Sequence, residues 1–136
     1  MLKIDMHTHI IPPELPRWAD KFGYDGFIHL EHHREGYARM MRGETFFREI
    51  CANCWNPAER IAEYATHHTQ IQVISTIPVL FAYWARPAHT HEVARFLNDH
   101  IAQLVADYPR QYIGLGTLPM QDAHRAIEEL ERCRDI

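Results

Sequence analysis

The residues best suited to chemistry in this chain are two histidines near its start, His7 and His9. They belong to a run that is typical of a short β-strand, which we predict near residues 2–7. Side chains alternate between the two faces of a strand, so positions 7 and 9 project from the same face. Two imidazoles on one face at the end of a strand form half of a metal site. A solvent-exposed pair of loop histidines is the alternative that this spacing leaves open.

Cys51 and Cys54 form a second motif, with the C-x-x-C spacing. A redox-active pair normally opens a helix, whereas here Pro57 is predicted to be the first helical residue, downstream of both thiols. A structural zinc site needs a second cysteine pair, and the chain has only three cysteines in all. The odd number also argues against a disulfide framework. We therefore interpret both residues as ordinary buried thiols.

Length and composition limit the class of protein. The chain has 136 residues, the size of one ordinary domain, and its 46% hydrophobic and 24% charged residues are typical of globular proteins. The formal net charge is −4 and the arginines are scattered, which argues against nucleic acid as a partner. No apolar run approaches the roughly 18 residues that a membrane span needs, and the start lacks a signal-peptide pattern. We expect a cytoplasmic protein with no membrane partner.

Strand-like and helix-like segments alternate along the chain. We predict strands near residues 2–7, 71–77 and 112–118, and helices from Asn56 to about His68, from an N-cap at Thr90 to Pro109, and from Asp122 to about Arg134. Three strand-then-helix units in series predict a parallel α/β fold with right-handed connections. Residues 23–50 differ, because short β-like runs alternate there with turn residues, and we predict a small antiparallel insertion.

Three such units are too few to close a (β/α)8 barrel, which needs about 250 residues. They leave an open sheet edge and an uncovered apolar face. The chain is therefore expected to be either a smaller open α/β domain or the N-terminal piece of something larger.

Several segments resemble the metal-dependent amidohydrolase superfamily, beginning with the run from Lys3 to Ile10 around the two histidines. Others narrow the resemblance to the 2-amino-3-carboxymuconate-6-semialdehyde decarboxylase family. They are Phe22-Gly23-Tyr24, His32-His33, Phe47-Arg48, Asn53-Cys54-Trp55 and residues 75–79, 83–85 and 114–120. The similarity runs in order from Leu2 to Cys133 and covers only the first part of the family's length.

The resemblance implies that residues 1–136 form the first three βα units of a (β/α)8 TIM-like barrel, with the insertion at about 23–50 after strand one. It implies Zn²⁺, or another divalent transition metal, bound by His7 and His9. The family's later His and Asp ligands and its catalytic histidine have no counterpart here, so no catalytic residue is assigned within this chain. Arg48 matches the arginine that holds a substrate carboxylate, and Arg42 matches a basic position near the pocket mouth.

The activity implied is non-oxidative decarboxylation of 2-amino-3-carboxymuconate 6-semialdehyde, a small dicarboxylate, to 2-aminomuconate 6-semialdehyde in tryptophan degradation through kynurenine. A homodimer is also implied, because a second arginine of the family site comes from the neighbouring subunit. A guanidinium group suits the role of Arg48, since it pairs with a carboxylate through two charge-assisted hydrogen bonds. Two alternatives stay open: a related decarboxylase acting on a hydroxybenzoate, and a catalytically incomplete fragment.

Overall fold

The computed structural model describes all 136 residues, which form two separate three-stranded sheets and four α-helices. The strands are β1 (Ile4–His9), β2 (Ile28–Arg34), β3 (Tyr37–Arg42), β4 (Thr45–Cys51), β5 (Ile71–Ser75) and β6 (Tyr112–Leu115). The helices are α1 (Trp18–Phe22), α2 (Pro57–Thr66), α3 (Pro87–Asp107) and α4 (Ala123–Arg134), and 3-10 turns cover Ala52–Cys54 and Pro78–Leu80. None of the helices combines the length and the apolar character that crossing a bilayer demands.

A parallel sheet in the order β1-β5-β6 contains the three predicted strands, and α2, α3 and α4 complete the βα units that these strands begin. This confirms the α/β prediction. The predicted bounds of β1 were two residues too early, because β5 begins at Ile71, opposite Ile4, and pairing starts there. Both histidines consequently lie inside β1. The sheet face away from the helices is uncovered, as expected, since Ile113 and Leu115 on β6 are 49% and 52% exposed.

The antiparallel sheet β2-β3-β4 is the predicted insertion after the first strand. Its strands are joined by tight turns in which Gly36 and Gly43 have φ angles of +73° and +56°, a conformation that favours glycine. Met40 pairs with Arg48, but Met41 pairs with Phe46. One residue of β4 between these pairs therefore has no partner, which is a β-bulge on an exposed edge strand.

Two apolar clusters hold the sheets together, and α3 takes part in both. The larger contains Ile11, Leu15, Trp18, Phe27, Ile28, Met40, Leu80, Ala82, Ala85, Val93 and Leu97. The smaller contains Ile10, Ile74, Ile101, Leu104 and Tyr112, and lies between the parallel sheet and α3. The antiparallel insertion is thereby fixed to the same helix that covers the parallel sheet.

The predicted N-cap at Thr90 was wrong. The N-cap is Arg86, four residues earlier, and Pro87 is the first helical residue, because the fixed φ of proline suits that position and its missing N–H needs no partner there. Thr90 is buried inside the first turn, where its hydroxyl donates to the carbonyl of Ala82 at 2.8 Å and accepts from Gln121 at 2.7 Å. It ties the loop before α3 to the segment before α4.

A buried polar cluster joins α3 and α4 to the chain just beyond β6. Asn98 donates to the carbonyl of Thr117 at 2.9 Å, accepts from its N–H at 2.7 Å and donates to Glu129 at 2.7 Å. Glu129 is fully buried and receives two hydrogen bonds from Arg132. Burial raises the pKa of Glu129, but the hydrogen bonds from Arg132 and Asn98 outweigh it, and the net pKa is lowered.

This cluster predicts an acid-sensitive component of stability. A carboxyl group whose pKa is lowered by folding stabilises the fold above its ordinary pKa, about 4.3, and this stabilisation is lost as the pH falls through the folded value. Glu129→Gln is expected to lower the free energy of unfolding at neutral pH and to flatten its decline in acid. Urea unfolding across the acid range measures both, with the exposed Glu128→Gln as control. An unchanged acid profile in Glu129→Gln would contradict the prediction.

Candidate metal centre and substrate pocket

An irregular register in β1 decides which way the two histidines face. Asp5 pairs with Gln72 and Thr8 pairs with Ile74, so β1 has one more residue than β5 over this interval, a β-bulge. Gln72 and Ile74 are buried under α2 and α3, so Asp5 and Thr8 share the helix-covered face. His9 follows Thr8 and projects from the opposite face.

On that open face the rings of His7 and His9 meet edge to face, with their centroids 4.9 Å apart. Their Nε2 atoms are separated by 3.2 Å. Two nitrogen atoms that bind one zinc ion at about 2.0–2.1 Å in tetrahedral geometry lie about 3.3 Å apart. The observed separation therefore matches two ligands of a single ion, and the pair fits the divalent metal that the resemblance implies.

Ser75, at the end of β5, orients the ring of His9. Its Oγ lies 3.1 Å from His9 Nδ1 and donates its only proton to the carbonyl of Thr8 at 3.3 Å. Oγ is therefore placed to accept a hydrogen bond from Nδ1–H, and in the neutral imidazole this tautomer puts the lone pair that can bind a metal on Nε2. In the sequence Ser75 is one of three polar residues of the largely apolar run 71–77, with Gln72 and Thr76, and this pattern by itself assigns it no role.

Ser75→Ala is expected to weaken divalent-metal binding about 10–100-fold, the usual cost of losing a group that orients a histidine ligand. The experiment uses the product of the full native reading frame, called the full-length protein below. Competition against a zinc-binding dye measures its affinity for the metal. Ser75→Thr keeps the hydroxyl and should retain most of it. Equal affinities for Ser75→Ala and the unmodified protein would show that the hydroxyl does not orient His9.

The 136 residues bring only two metal ligands together. No group of three His, Cys, Asp or Glu side chains that could hold a metal ion occurs among them. Catalytic zinc sites use three protein ligands and an open position. A complete site of this type therefore needs at least one protein ligand from outside these residues.

A cavity of about 250 Å³ opens at the C-terminal ends of β5 and β6. Ser75 lines it together with Tyr83 and Thr117, so it adjoins the residue that orients His9. The C-terminal end of a parallel sheet is where α/β barrel enzymes place their active sites. The cavity is therefore the candidate substrate pocket. Trp84, the neighbour of Tyr83, packs instead against Phe27, with the centroids of the two rings 4.8 Å apart.

Arg42 and Arg48 lie on the exposed antiparallel sheet, on β3 and β4. Their guanidinium carbons are 5.8 Å and 6.0 Å from the centre of the Phe47 ring. Neither guanidinium takes part in any of the ion pairs of the chain. The structure thus brings the two arginines to one aromatic ring, but no hydrogen bond or ion pair joins them to the histidine pair.

The prediction that Cys51 and Cys54 are buried thiols was wrong. Cys51 is exposed and Cys54 is only half-buried. The reason is that Cys51 is the last residue of β4, an edge strand that only β3 covers.

The sequence model of the amidohydrolase family matches residues 4–135. The chain belongs to the amidohydrolase family. A 2-amino-3-carboxymuconate-6-semialdehyde decarboxylase from Dictyostelium discoideum is 51% identical over 97% of this chain and 37% of that protein. A decarboxylase of the same name from Caenorhabditis elegans is 42% identical over 93% of this chain and 31% of its own length. This amidohydrolase chain spans about a third of the length of both relatives.

Among solved structures, the chain resembles a dihydroxybenzoic acid decarboxylase from a Polaromonas species, crystallised with bound manganese and the inhibitor 2-nitroresorcinol. The TM-score is 0.66 at 24% identity, over 98% of this chain and 35% of that protein. A similarity at this identity shows the fold. It confirms that the chain forms the first units of an amidohydrolase-type barrel.

Proposed function

We propose that this chain supplies the first metal-binding strand and part of the substrate site of a 2-amino-3-carboxymuconate-6-semialdehyde decarboxylase. The observation that carries the proposal is the 3.2 Å separation of the Nε2 atoms of His7 and His9, on the face and at the end of the sheet where barrel enzymes act. The 51% identity to the Dictyostelium decarboxylase supports this substrate. In the reaction a carbon–carbon bond to a carboxylate breaks, carbon dioxide leaves, and a proton takes its place on carbon.

His7 and His9 would hold a divalent transition metal through Nε2, and we propose Zn²⁺ because imidazole nitrogen is a common zinc ligand. The manganese bound by the Polaromonas decarboxylase supports a divalent ion in this fold. Such an ion supplies Lewis-acid polarisation of substrate oxygen atoms. Ser75 holds His9 in the tautomer that leaves Nε2 available, so this part of the site is oriented by the chain itself.

Arg48 is proposed to bind a substrate carboxylate, with Arg42 as a second cationic group beside the same ring. A free guanidinium makes a bidentate pair with a carboxylate, which orients the substrate and offsets its charge. The absence of an acidic partner for either arginine within the chain supports this role. The bulge next to Arg48 supports it as well, because bulges re-aim side chains beside binding sites.

We extend the proposal to a cytoplasmic homodimer that acts in tryptophan degradation through kynurenine. The family resemblance supports the dimer, and so do Phe46 and Phe47, large apolar side chains that are 57% and 43% exposed on the antiparallel sheet. The odd number of cysteines agrees with a reducing compartment. Sedimentation of the full-length protein measures the oligomeric state, and cell fractionation measures the location.

A substrate comparison tests the proposed function. The full-length protein is assayed for carbon dioxide release from 2-amino-3-carboxymuconate 6-semialdehyde and from 2,6-dihydroxybenzoate. We expect the first substrate to be preferred by at least about 100-fold in kcat/KM, since a site built around guanidinium pairing rejects a ligand that lacks the second carboxylate. The fold similarity to the dihydroxybenzoic acid decarboxylase makes the hydroxybenzoate the second candidate, and preference for it would overturn the proposal.

The 136-residue chain by itself is predicted to lack decarboxylase activity. It holds two of the ligands that a catalytic metal site needs and leaves its parallel sheet uncovered on one face. The assay is the same, run with the 136-residue chain and the full-length protein side by side. Equal turnover by the two would contradict this prediction.

A further inference from the structure

The C-x-x-C motif places two thiols on a shared acceptor. Cys51 donates to Asn53 Oδ1 at 3.0 Å, and Cys54 donates to the same atom at 3.6 Å. The two sulfur atoms therefore lie within 6.6 Å of each other, the sum of these distances. Asn53 is itself held in place, because its side-chain NH₂ group donates to Glu63 at 2.6 Å and its backbone carbonyl accepts from Arg60 at 3.0 Å.

The backbone also holds the two cysteines at bridging distance. Residues 52–54 form a 3-10 turn that is tied to the adjacent hairpin by the hydrogen bond from Ala52 N–H to the carbonyl of Gly36 at 2.9 Å. Cys51 immediately precedes this turn and Cys54 is its last residue, so the two occupy positions i and i+3 of a tight turn. The Cα atoms at such positions lie less than about 7 Å apart, which overlaps the 4.4–6.8 Å that disulfides span. Closure needs side-chain rotation and little backbone movement.

We propose that Cys51 and Cys54 are a thiol pair that closes reversibly to a disulfide by exchange with a low-molecular-weight disulfide such as glutathione disulfide. The exposed thiolate of Cys51 attacks one sulfur of that disulfide and releases one thiolate. Cys54 then loses its proton, attacks the sulfur of Cys51 in the mixed disulfide and releases the second thiolate. Two protein thiols and one small disulfide become one protein disulfide and two small thiols, so atoms and electrons balance.

The two thiols differ in a way that assigns these roles. Cys51 is exposed and can meet the oxidant, whereas Cys54 is half-buried. Burial, and then the neighbouring Cys51, raise the pKa of the Cys54 thiol, which makes it a poor first nucleophile. Cys133 is a matched comparison, because burial and then Glu129 raise its pKa to about 11, and it has no cysteine within its hydrogen-bonded cluster.

The pair lies between the two parts of the proposed site. Cys51 ends the strand that carries Arg48, and the carbonyl of Cys54 accepts a hydrogen bond at 3.0 Å from the N–H of Ile11, two residues beyond His9. A disulfide would join the end of β4 covalently to Cys54, and the hydrogen bond between Cys54 and Ile11 would continue this connection toward β1. Disulfide formation does not depend on the proposed decarboxylation, so the two proposals can be tested separately.

The test uses the purified full-length protein, equilibrated in glutathione buffers of rising disulfide fraction, quenched with acid and alkylated in denaturant. Trypsin releases residues 49–60 as one peptide that carries both cysteines, and Cys133 falls in a different peptide. We expect peptide 49–60 to become lighter by two hydrogen atoms and to lose both alkylation sites as the disulfide fraction rises, while Cys133 stays alkylated. Retention of both alkyl groups, two glutathione adducts, or a disulfide between two copies would each overturn the proposal.

Matched variants and a denatured control separate this geometry from generic thiol reactivity. Cys54→Ser should accumulate a glutathione adduct at Cys51, Cys51→Ser should form neither product, and Cys133→Ser should behave like the unmodified protein. Circular dichroism confirms that each variant is folded. In denaturing urea the closure constant should fall at least about tenfold, since the effective concentration of the two thiols drops when the turn is lost. An equal closure constant in the folded protein and in urea would overturn the proposal, because the folded turn would then contribute nothing to disulfide formation.

Discussion

Replacement of His7 by alanine is expected to lower decarboxylase activity of the full-length protein more than about 100-fold. The side chain supplies one of two Nε2 atoms that converge at 3.2 Å, and loss of a direct ligand should exceed the 10–100-fold cost of losing a group that only orients one. His7 is exposed, so the substitution leaves no cavity in the core. Elemental analysis of the purified protein, together with kcat for the decarboxylation, measures the effect.

His124→Ala is the control for this substitution, because His124 is an exposed histidine on α4, far along the chain from β1, without a hydrogen-bonded partner in the structure. It should keep the metal content and the turnover of the unmodified protein. A His7→Ala protein that binds metal and turns over normally would show that the convergent pair is a chance arrangement of surface histidines.

Replacement of Arg48 is expected to have the second largest effect. A hydrogen bond to a charged group is worth about 1.5–3 kcal/mol, so Arg48→Ala should lower kcat/KM by about 10–150-fold, mainly through KM. Arg48→Lys should be intermediate, because lysine keeps the charge but cannot form the bidentate pair. The metal content should not change in either variant, which separates this effect from that of the histidines.

Arg39→Ala is the matched control for Arg48, because Arg39 is an exposed arginine on the neighbouring strand β3 and has no assigned role. Steady-state kinetics on the three variants decides the question. If Arg39→Ala and Arg48→Ala reduce kcat/KM equally, the sheet acts through its overall charge and Arg48 is not a specific carboxylate ligand.

Local sequence patterns predicted the order of elements well. The apolar runs found the three parallel strands, and Asn56 caps α2 as its position before Pro57 predicted. The two boundaries that failed did so for different reasons, since the start of β1 depends on a partner strand distant in sequence and the start of α3 on a nearby proline. β1 starts where β5 starts, and Thr90 sits inside α3 because Pro87 already supplies a suitable first helical residue.

The candidate site was predicted only in part, because it also depends on partners distant in sequence. Strand alternation is enough to place His7 and His9 on one face, but it does not say which face. The bulge in β1, which exists only in the pairing with β5, turns both away from the helices. Ser75 is a partner of His9 through tertiary structure, 66 residues further along the chain, and no local pattern links the two.

Metal dependence of the reaction is the sharpest test of His7 and His9 as ligands of a catalytic metal. The full-length protein is stripped of metal by a chelator, and carbon dioxide release from 2-amino-3-carboxymuconate 6-semialdehyde is measured before and after Zn²⁺ is restored, in the unmodified protein and in His7→Ala. We expect stripping to abolish turnover, and we expect Zn²⁺ to restore it in the unmodified protein but not in His7→Ala. Turnover that survives in the stripped protein, or that Zn²⁺ restores equally in both proteins, would contradict the assignment of His7 and His9 as metal ligands.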